Sequence, residues 1–149
     1  MAAAAGLTLG FGVILQAWPG LPSRIPTRFD PAGAPTAWAR KGLLLILAGA
    51  ALLAYVPLSL ARLLPARFLN TPWPLTAGNA ARQLALAHEF LALLKVEIVW
   101  LFAAIDWAGV RSVSDRRAAA DLEVIVLVVS LAAILSTVGI YLYRSFRAR

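Results

Sequence analysis

The chain has no cysteine, a single histidine, and only seven Asp and Glu against fourteen Lys and Arg in 149 residues. Without cysteine there is neither a disulfide framework nor thiolate chemistry. His88 stands alone, so no second imidazole or thiolate is present to complete a metal site, and neither metal nor cofactor is expected. The sequence is also poor in charge: 14% of residues are charged and 61% hydrophobic, whereas soluble domains carry about 25% charged and about 45–50% apolar residues. So large an apolar surplus cannot be hidden in a core of this size. It points to a lipid bilayer as the solvent.

The net charge of +7 raises the question of nucleic acid, and the distribution of the cations argues against it. Apart from Lys95, they fall at Arg24, Arg28, Arg40 and Lys41, at Arg62, Arg67 and Arg82, at Arg111, Arg116 and Arg117, and at Arg144, Arg147 and Arg149. Each group flanks an apolar run, where arginines meet anionic headgroups and set topology. No stretch interleaves cations and aromatics as a single-strand binder does.

Four apolar stretches approach or exceed the roughly 20 residues that cross a bilayer: 2–18, 42–61, 80–110 and 124–143. The expected fold is an all-α integral membrane four-helix bundle, one domain over 1–149, with an irregular Pro-rich first loop. The first stretch lacks the basic start and small-residue cleavage site of a signal peptide and reads as an anchor. Its Gly6 and Gly10, with Gly12 nearby, offer a small-residue face to another helix. Pro57 should kink the second span near its far end. The first loop holds Pro19, Pro22, Pro26, Pro31 and Pro35, and Asp30-Pro31-Ala32-Gly33 suits a type I turn. That loop therefore reads as a shaped, largely non-helical hairpin, with Trp38 at the water boundary. The connector 63–78, with Pro65, Pro72 and Pro74, reads as a second irregular piece along the membrane surface. Four spans put both termini on one side. Lys and Arg are nearly balanced across the two sides, and the acids Asp30, Asp115, Asp121 and Glu123 on the opposite side tilt the expectation towards cytoplasmic termini in a bacterial inner membrane.

The third span is unlike the others because it carries His88, Glu89, Lys95, Glu97 and Asp106. Lys95 and Glu97 are expected near the bilayer midplane, where a charge costs about 2.5–3.5 kcal/mol on insertion scales, so such residues face a bundle interior and pair. At about 100° per residue, His88, Lys95 and Asp106 share one stripe, Glu89 lies about a quarter turn away and Glu97 is nearly opposite. Lys95 and Glu97, two residues apart, cannot face each other. Glu97 then needs another helix, a protonated state, water or a partner protein, and the other spans offer only hydroxyls such as Tyr55, Ser59, Ser130, Ser136 and Thr137. Helix-to-helix contacts, a polar docking face for a partner, and a proton or ion relay are the open readings of this cluster. Catalytic signatures are missing. There is no Ser-His-Asp set or phosphate-binding loop, and the second His of a metalloprotease motif after His88-Glu89 would fall at Ala92.

The residues Leu21-Pro22-Ser23-Arg24-Ile25-Pro26-Thr27-Arg28-Phe29-Asp30, then Gly33, Trp38 and Lys41, resemble the N-terminal membrane domain of the SdpI family. Asn70, Pro72, Trp73 and Asn79, followed by Lys95 in a charged third span, are similar to the same domain, so the resemblance covers roughly the first three-quarters of the chain. It departs from the family at Arg28, where a His is usual, and at Ala37, which directly precedes Trp38 in place of an acidic residue; longer members also carry a second group of spans. SdpI is a bacterial immunity protein against a secreted peptide toxin and recruits a repressor to the membrane. The resemblance therefore implies a non-enzymatic module that acts by contact with a membrane protein or peptide, with Arg28, Asp30, Gly33, Trp38 and Lys41 as loop recognition residues. A small accessory subunit of a respiratory or photosynthetic membrane complex is the alternative expectation. Partners are the bilayer and such a protein or peptide, not nucleic acid.

Overall fold

Ala, Leu and other good helix formers dominate the long apolar runs, and in the computed structural model of the chain these runs are helical. The structure describes residues 1–30, 32–65 and 68–149, and within 116–120 the backbone only. The helices are α1 (Ala2–Ala17), α2 (Gly42–Leu60), α3 (Ala80–Arg111) and α4 (Arg116–Arg147). Single 3-10 turns, Trp18–Gly20 and Ala61–Leu63, extend the first two. Among the described residues, three segments are long and apolar enough to cross a membrane: Ala2–Gly20, Gly42–Leu63 and Asp121–Arg147. Pro57 does not end α2, which continues to Leu60. α4 starts at Arg116 rather than at 124, because apolarity marks the part a bilayer would cover whereas Arg, Ala and Leu propagate the helix beyond it.

The first loop departs from the all-α, irregular expectation. It is a two-stranded antiparallel ribbon, β1 (Arg24–Phe29) paired with β2 (Pro35–Arg40). Ile25, Thr27 and Phe29 are strand formers, and both strands are edges, where a proline's missing N–H is tolerated. The register runs from Arg24 opposite Arg40 to Phe29 opposite Pro35, with irregularities after Pro26 and Arg28. Of the expected turn, Pro31 lies outside the described residues. Its closing bond is present, from the Gly33 N–H to the Asp30 carbonyl at 2.9 Å. Gly33 has φ 81°, a left-handed conformation that costs glycine nothing.

α3 is the central helix, with α1 and α2 on one side and α4 on the other; α4 forms its main interface with α3. α1 runs parallel to α3: the Trp100 indole donates to the Ala2 carbonyl at 3.1 Å, and Gly6 and Gly10 lie against Val99 and Ala103. A Cβ on Gly6 would stand 2.9 Å from Val99 Cγ1, so this glycine permits the close approach. α2 runs antiparallel to α3, from Leu44 beside Gly109 to Ser59 beside Lys95. α1 and α2 consequently flank the C-terminal half of α3. Residues 80–93 extend roughly 20 Å beyond them, at 1.5 Å per residue. Along that extension α3 keeps company with α4, through Gln83–Ser145, Glu89–Arg144 and Phe90–Tyr141. Ile14, Leu21, Ile25, Leu44 and Ala48 form the apolar core at the opposite end, beneath the hairpin.

Candidate functional site

The hairpin sits directly on the helix ends, because only residues 21–23 separate the first 3-10 turn from β1 and only Lys41 separates β2 from α2. Three of its five expected recognition residues build its shape. The Asp30 carboxylate accepts from the backbone N–H groups of Ala32 at 2.9 Å and Ala34 at 2.8 Å, an Asx-type turn. Gly33 supplies the left-handed residue. Lys41 turns inward: its ammonium donates to the carbonyls of Trp18 at 3.0 Å and Leu21 at 3.2 Å and lies 4.6 Å from the Trp18 ring centroid. It thus satisfies carbonyls left over where the first helix ends. The remaining two are on the surface. Arg28 is exposed and Trp38 is 45% exposed, on adjacent strands and flanked by the exposed Arg24 and Arg40.

The polar residues of α3 do not share one face; they reach three different neighbours. The Lys95 ammonium donates to the Ser59 hydroxyl at 3.1 Å and lies 5.2 Å from the Tyr55 ring centroid, both on α2. Ser59 precedes the last residue of α2, so Lys95 stands level with the end of that helix rather than with its middle. Glu97 faces α4, where the Thr137 hydroxyl donates to Oε1 at 2.5 Å; its Oε2 is buried with no hydrogen-bond partner among the described residues. Glu89 also faces α4, in a half-exposed ion pair with Arg144 at 2.7 Å. His88 is partly buried, and its Nε2 has no hydrogen-bond partner among the described residues.

Asp106 occupies the most confined position. It is 1% exposed and neither carboxyl oxygen has a hydrogen-bond partner among the described residues. It lines a narrow cleft with Gly6, Gly10, Ala48, Ala51 and Ala103. Gly10 and Ala51 are near the middles of α1 and α2, so the acid lies at mid-height of the three-helix cluster. Burying an unpartnered carboxyl at such a place is costly, and small residues on both facing helices are what allow it to fit.

Sequence reasoning missed a fully buried polar pair between α3 and α4. The Gln83 amide donates to the Ser145 carbonyl at 2.9 Å and accepts from the Ser145 hydroxyl, and both side chains are fully buried. An uncharged amide inside an apolar run is a signal that a partner exists, but nothing in the sequence points from Gln83 to a serine among C-terminal arginines. No group of His, Cys, Asp and Glu able to hold a metal ion occurs among the described residues.

A family model described as a domain of unknown function (DUF1648) matches residues 4–55. These residues comprise most of α1, the hairpin and the first part of α2, the segment in which Lys41 and the hairpin core join the two helices. No curated protein and no solved structure matches the chain. Over residues 4–55 the chain is similar to that domain.

Proposed function

We propose that this is a non-enzymatic protein of the bacterial inner membrane, crossing it four times, that works by contact with a membrane protein or peptide through the exposed surface of its first hairpin. The observation that carries this reading is the division of labour within the hairpin. Asp30, Gly33 and Lys41 build its shape, and Arg28 and Trp38 are exposed on it. Arg and Trp are the residue types that most often anchor protein interfaces. The SdpI-like form of the reading, an immunity or signalling module, is supported by the loop residues quoted above; the family of unknown function matches the same α1–hairpin–α2 segment and names no role. Lys95 and Glu97 serve this role indirectly by holding α2 and α4 to the central helix; Glu89 and His88 remain candidates for a secondary polar contact at the far end.

Expression of the chain in a bacterium sensitive to a membrane-active peptide tests this directly. Wild-type chain is expected to shield cells from the cognate peptide, and Arg28→Ala with Trp38→Ala to abolish the shielding at unchanged expression and membrane content. Unchanged killing across candidate peptides, with no partner recovered from mild detergent, would count against the reading. The accessory-subunit alternative has one observation in its favour: the apolar part of α4 exposes Val124, Val128, Val129 and Leu131, a face that a large complex could cover as well as lipid. A stoichiometric large partner in mild detergent, recovered equally well without Arg28 and Trp38, would favour it.

A further inference from the structure

The two strands of the hairpin bring two arginines face to face. Arg24 and Arg40 are Cα partners in the β1–β2 register, and both are exposed. The Lys41 N–H donates to the Ser23 carbonyl at 3.1 Å, so the adjoining Arg24–Arg40 pair is of the non-hydrogen-bonded kind, in which side chains on one face stand closest. Like charges directly opposite one another destabilise a strand pair. Neither guanidinium makes a hydrogen bond or an ion pair among the described residues, where the ion pair present is Glu89–Arg144. Of the acids at this end, Asp30 is bonded into the tip turn, roughly 20 Å along the strand from Arg24 at about 3.3 Å per residue. Asp115 precedes α4, and Asp121 and Glu123 belong to it. The fold therefore carries a paired positive charge that nothing within the described residues offsets.

We infer that the Arg24–Arg40 pair receives a carboxylate of the partner protein or peptide, from an Asp or Glu side chain or a chain terminus. Two guanidiniums side by side offer donors to both oxygens of one carboxylate, and the bound anion removes the repulsion between them. The orientation of the ribbon favours a protein over a lipid. Alternate residues of a strand point to opposite faces. Ile25, next to Arg24, is 1% exposed and packs with Ile14 and Leu44 in the core beneath the hairpin, so the face bearing Arg24 and Arg40 is turned away from the helices. β2 repeats the pattern, with Thr36, Trp38 and Arg40 exposed and Ala37 and Ala39 partly covered. Lipid phosphates lie around the helix ends, on the side of Ile25, whereas a partner's segment in water reaches the outer face. The assignment rests on the hairpin meeting a protein or peptide, as proposed above, and adds what that partner must carry: an acid placed to reach Arg24 and Arg40.

Fluorescence anisotropy of a dye-labelled tetraglutamate peptide, titrated with the full chain in phosphatidylcholine nanodiscs at physiological ionic strength, tests this without the cognate partner. The wild-type chain is expected to bind tetraglutamate clearly more tightly than tetraglutamine. Arg24→Gln and Arg40→Gln should each weaken tetraglutamate binding by about fivefold, the upper range for an exposed ion pair. Arg111→Gln, an equal loss of charge at the same end of the molecule, should weaken it by less than about twofold. Arg24→Glu places an acid opposite Arg40, so it should abolish binding while the chain unfolds no earlier than the wild type on heating. Equal affinity of the wild type for the two peptides would overturn the proposal, and so would an Arg111→Gln loss as large as those at Arg24 and Arg40. In mixed nanodiscs, retention of phosphatidylglycerol over phosphatidylcholine that depends on Arg24 and Arg40 would assign the pair to headgroups and overturn it too. A lack of shielding in cells bears on the immunity role alone, and a lack of glutamate preference on this pair alone.

Discussion

Asp106 shows how small neighbours accommodate a single buried carboxyl. Its carboxyl is enclosed by Gly10, Ala48, Ala51 and Ala103, and neither oxygen finds a donor among the described residues. An unsatisfied buried polar group costs about 1–3 kcal/mol. Asp106→Ala removes that cost and leaves only a small void, so the variant is expected to match or exceed the wild type in thermal unfolding followed in detergent. A loss of more than about 2 kcal/mol would mean that the carboxyl has a strong partner, on the scale of a broken buried network. Glycine identity is settled on the same scale. Gly6 is in steric contact with Val99, whereas an added Cβ on Gly12 would meet nothing within 4 Å among the described residues. Three glycines alike in sequence are thus unlike in consequence, and spacing could not rank them because only the rotation of α1 decides which of them meets α3.

Helix by helix, the architecture is held by polar bonds from α3 outward, Lys95 to α2 and Glu97 to α4. Residues two apart on a helix point to different sides, which is why two opposite charges so close in sequence each bond to a hydroxyl instead of to one another. A double-mutant cycle of Glu97→Gln with Thr137→Val is expected to show a coupling of about 0.5–3 kcal/mol, and a cycle of Lys95→Met with Glu97→Gln one near zero, within the additivity of about 0.3–0.5 kcal/mol seen for independent sites. Chemical unfolding in mixed micelles measures both, and a large Lys95–Glu97 coupling would contradict this geometry. The four helices were legible as apolar runs, with boundaries displaced mainly at α4, where polar residues 116–123 carry the helix past the apolar part. The strands were not legible as strands. They are six residues each, with Pro26 inside β1 and Pro35 at the head of β2, and the irregular first strand does not alternate. The hydroxyl each charge would meet was also beyond reach, since it depends on helix rotation and relative height, and neither leaves a trace in composition.

Across the whole molecule, the unequal helix lengths set the arrangement. α1 and α2 cover the C-terminal half of α3, while α4 accompanies it to its N-terminal end, where Gln83–Ser145 and Glu89–Arg144 close the pair. The charges of α3 keep it out of the set of segments that composition alone marks as able to cross a membrane. Its position between three such segments, with Lys95, Glu97 and Asp106 turned towards them, is what argues that it crosses too. Polar side chains inside a bilayer face a bundle interior in this way. If α3 crosses, the connector at Gly78 and the turn at Ser114 lie on opposite sides, and the hairpin at Ala32 shares a side with Ser114. The native chain has no cysteine, and all three positions are exposed. Single Ala32→Cys, Gly78→Cys and Ser114→Cys chains can therefore be labelled with an impermeant maleimide in intact bacteria and again after permeabilisation. With cytoplasmic termini, Ala32→Cys and Ser114→Cys should label in intact cells and Gly78→Cys only after permeabilisation; the reverse assignment for all three would invert the protein but keep the four-span account. Labelling of Gly78→Cys and Ser114→Cys from the same side would contradict it.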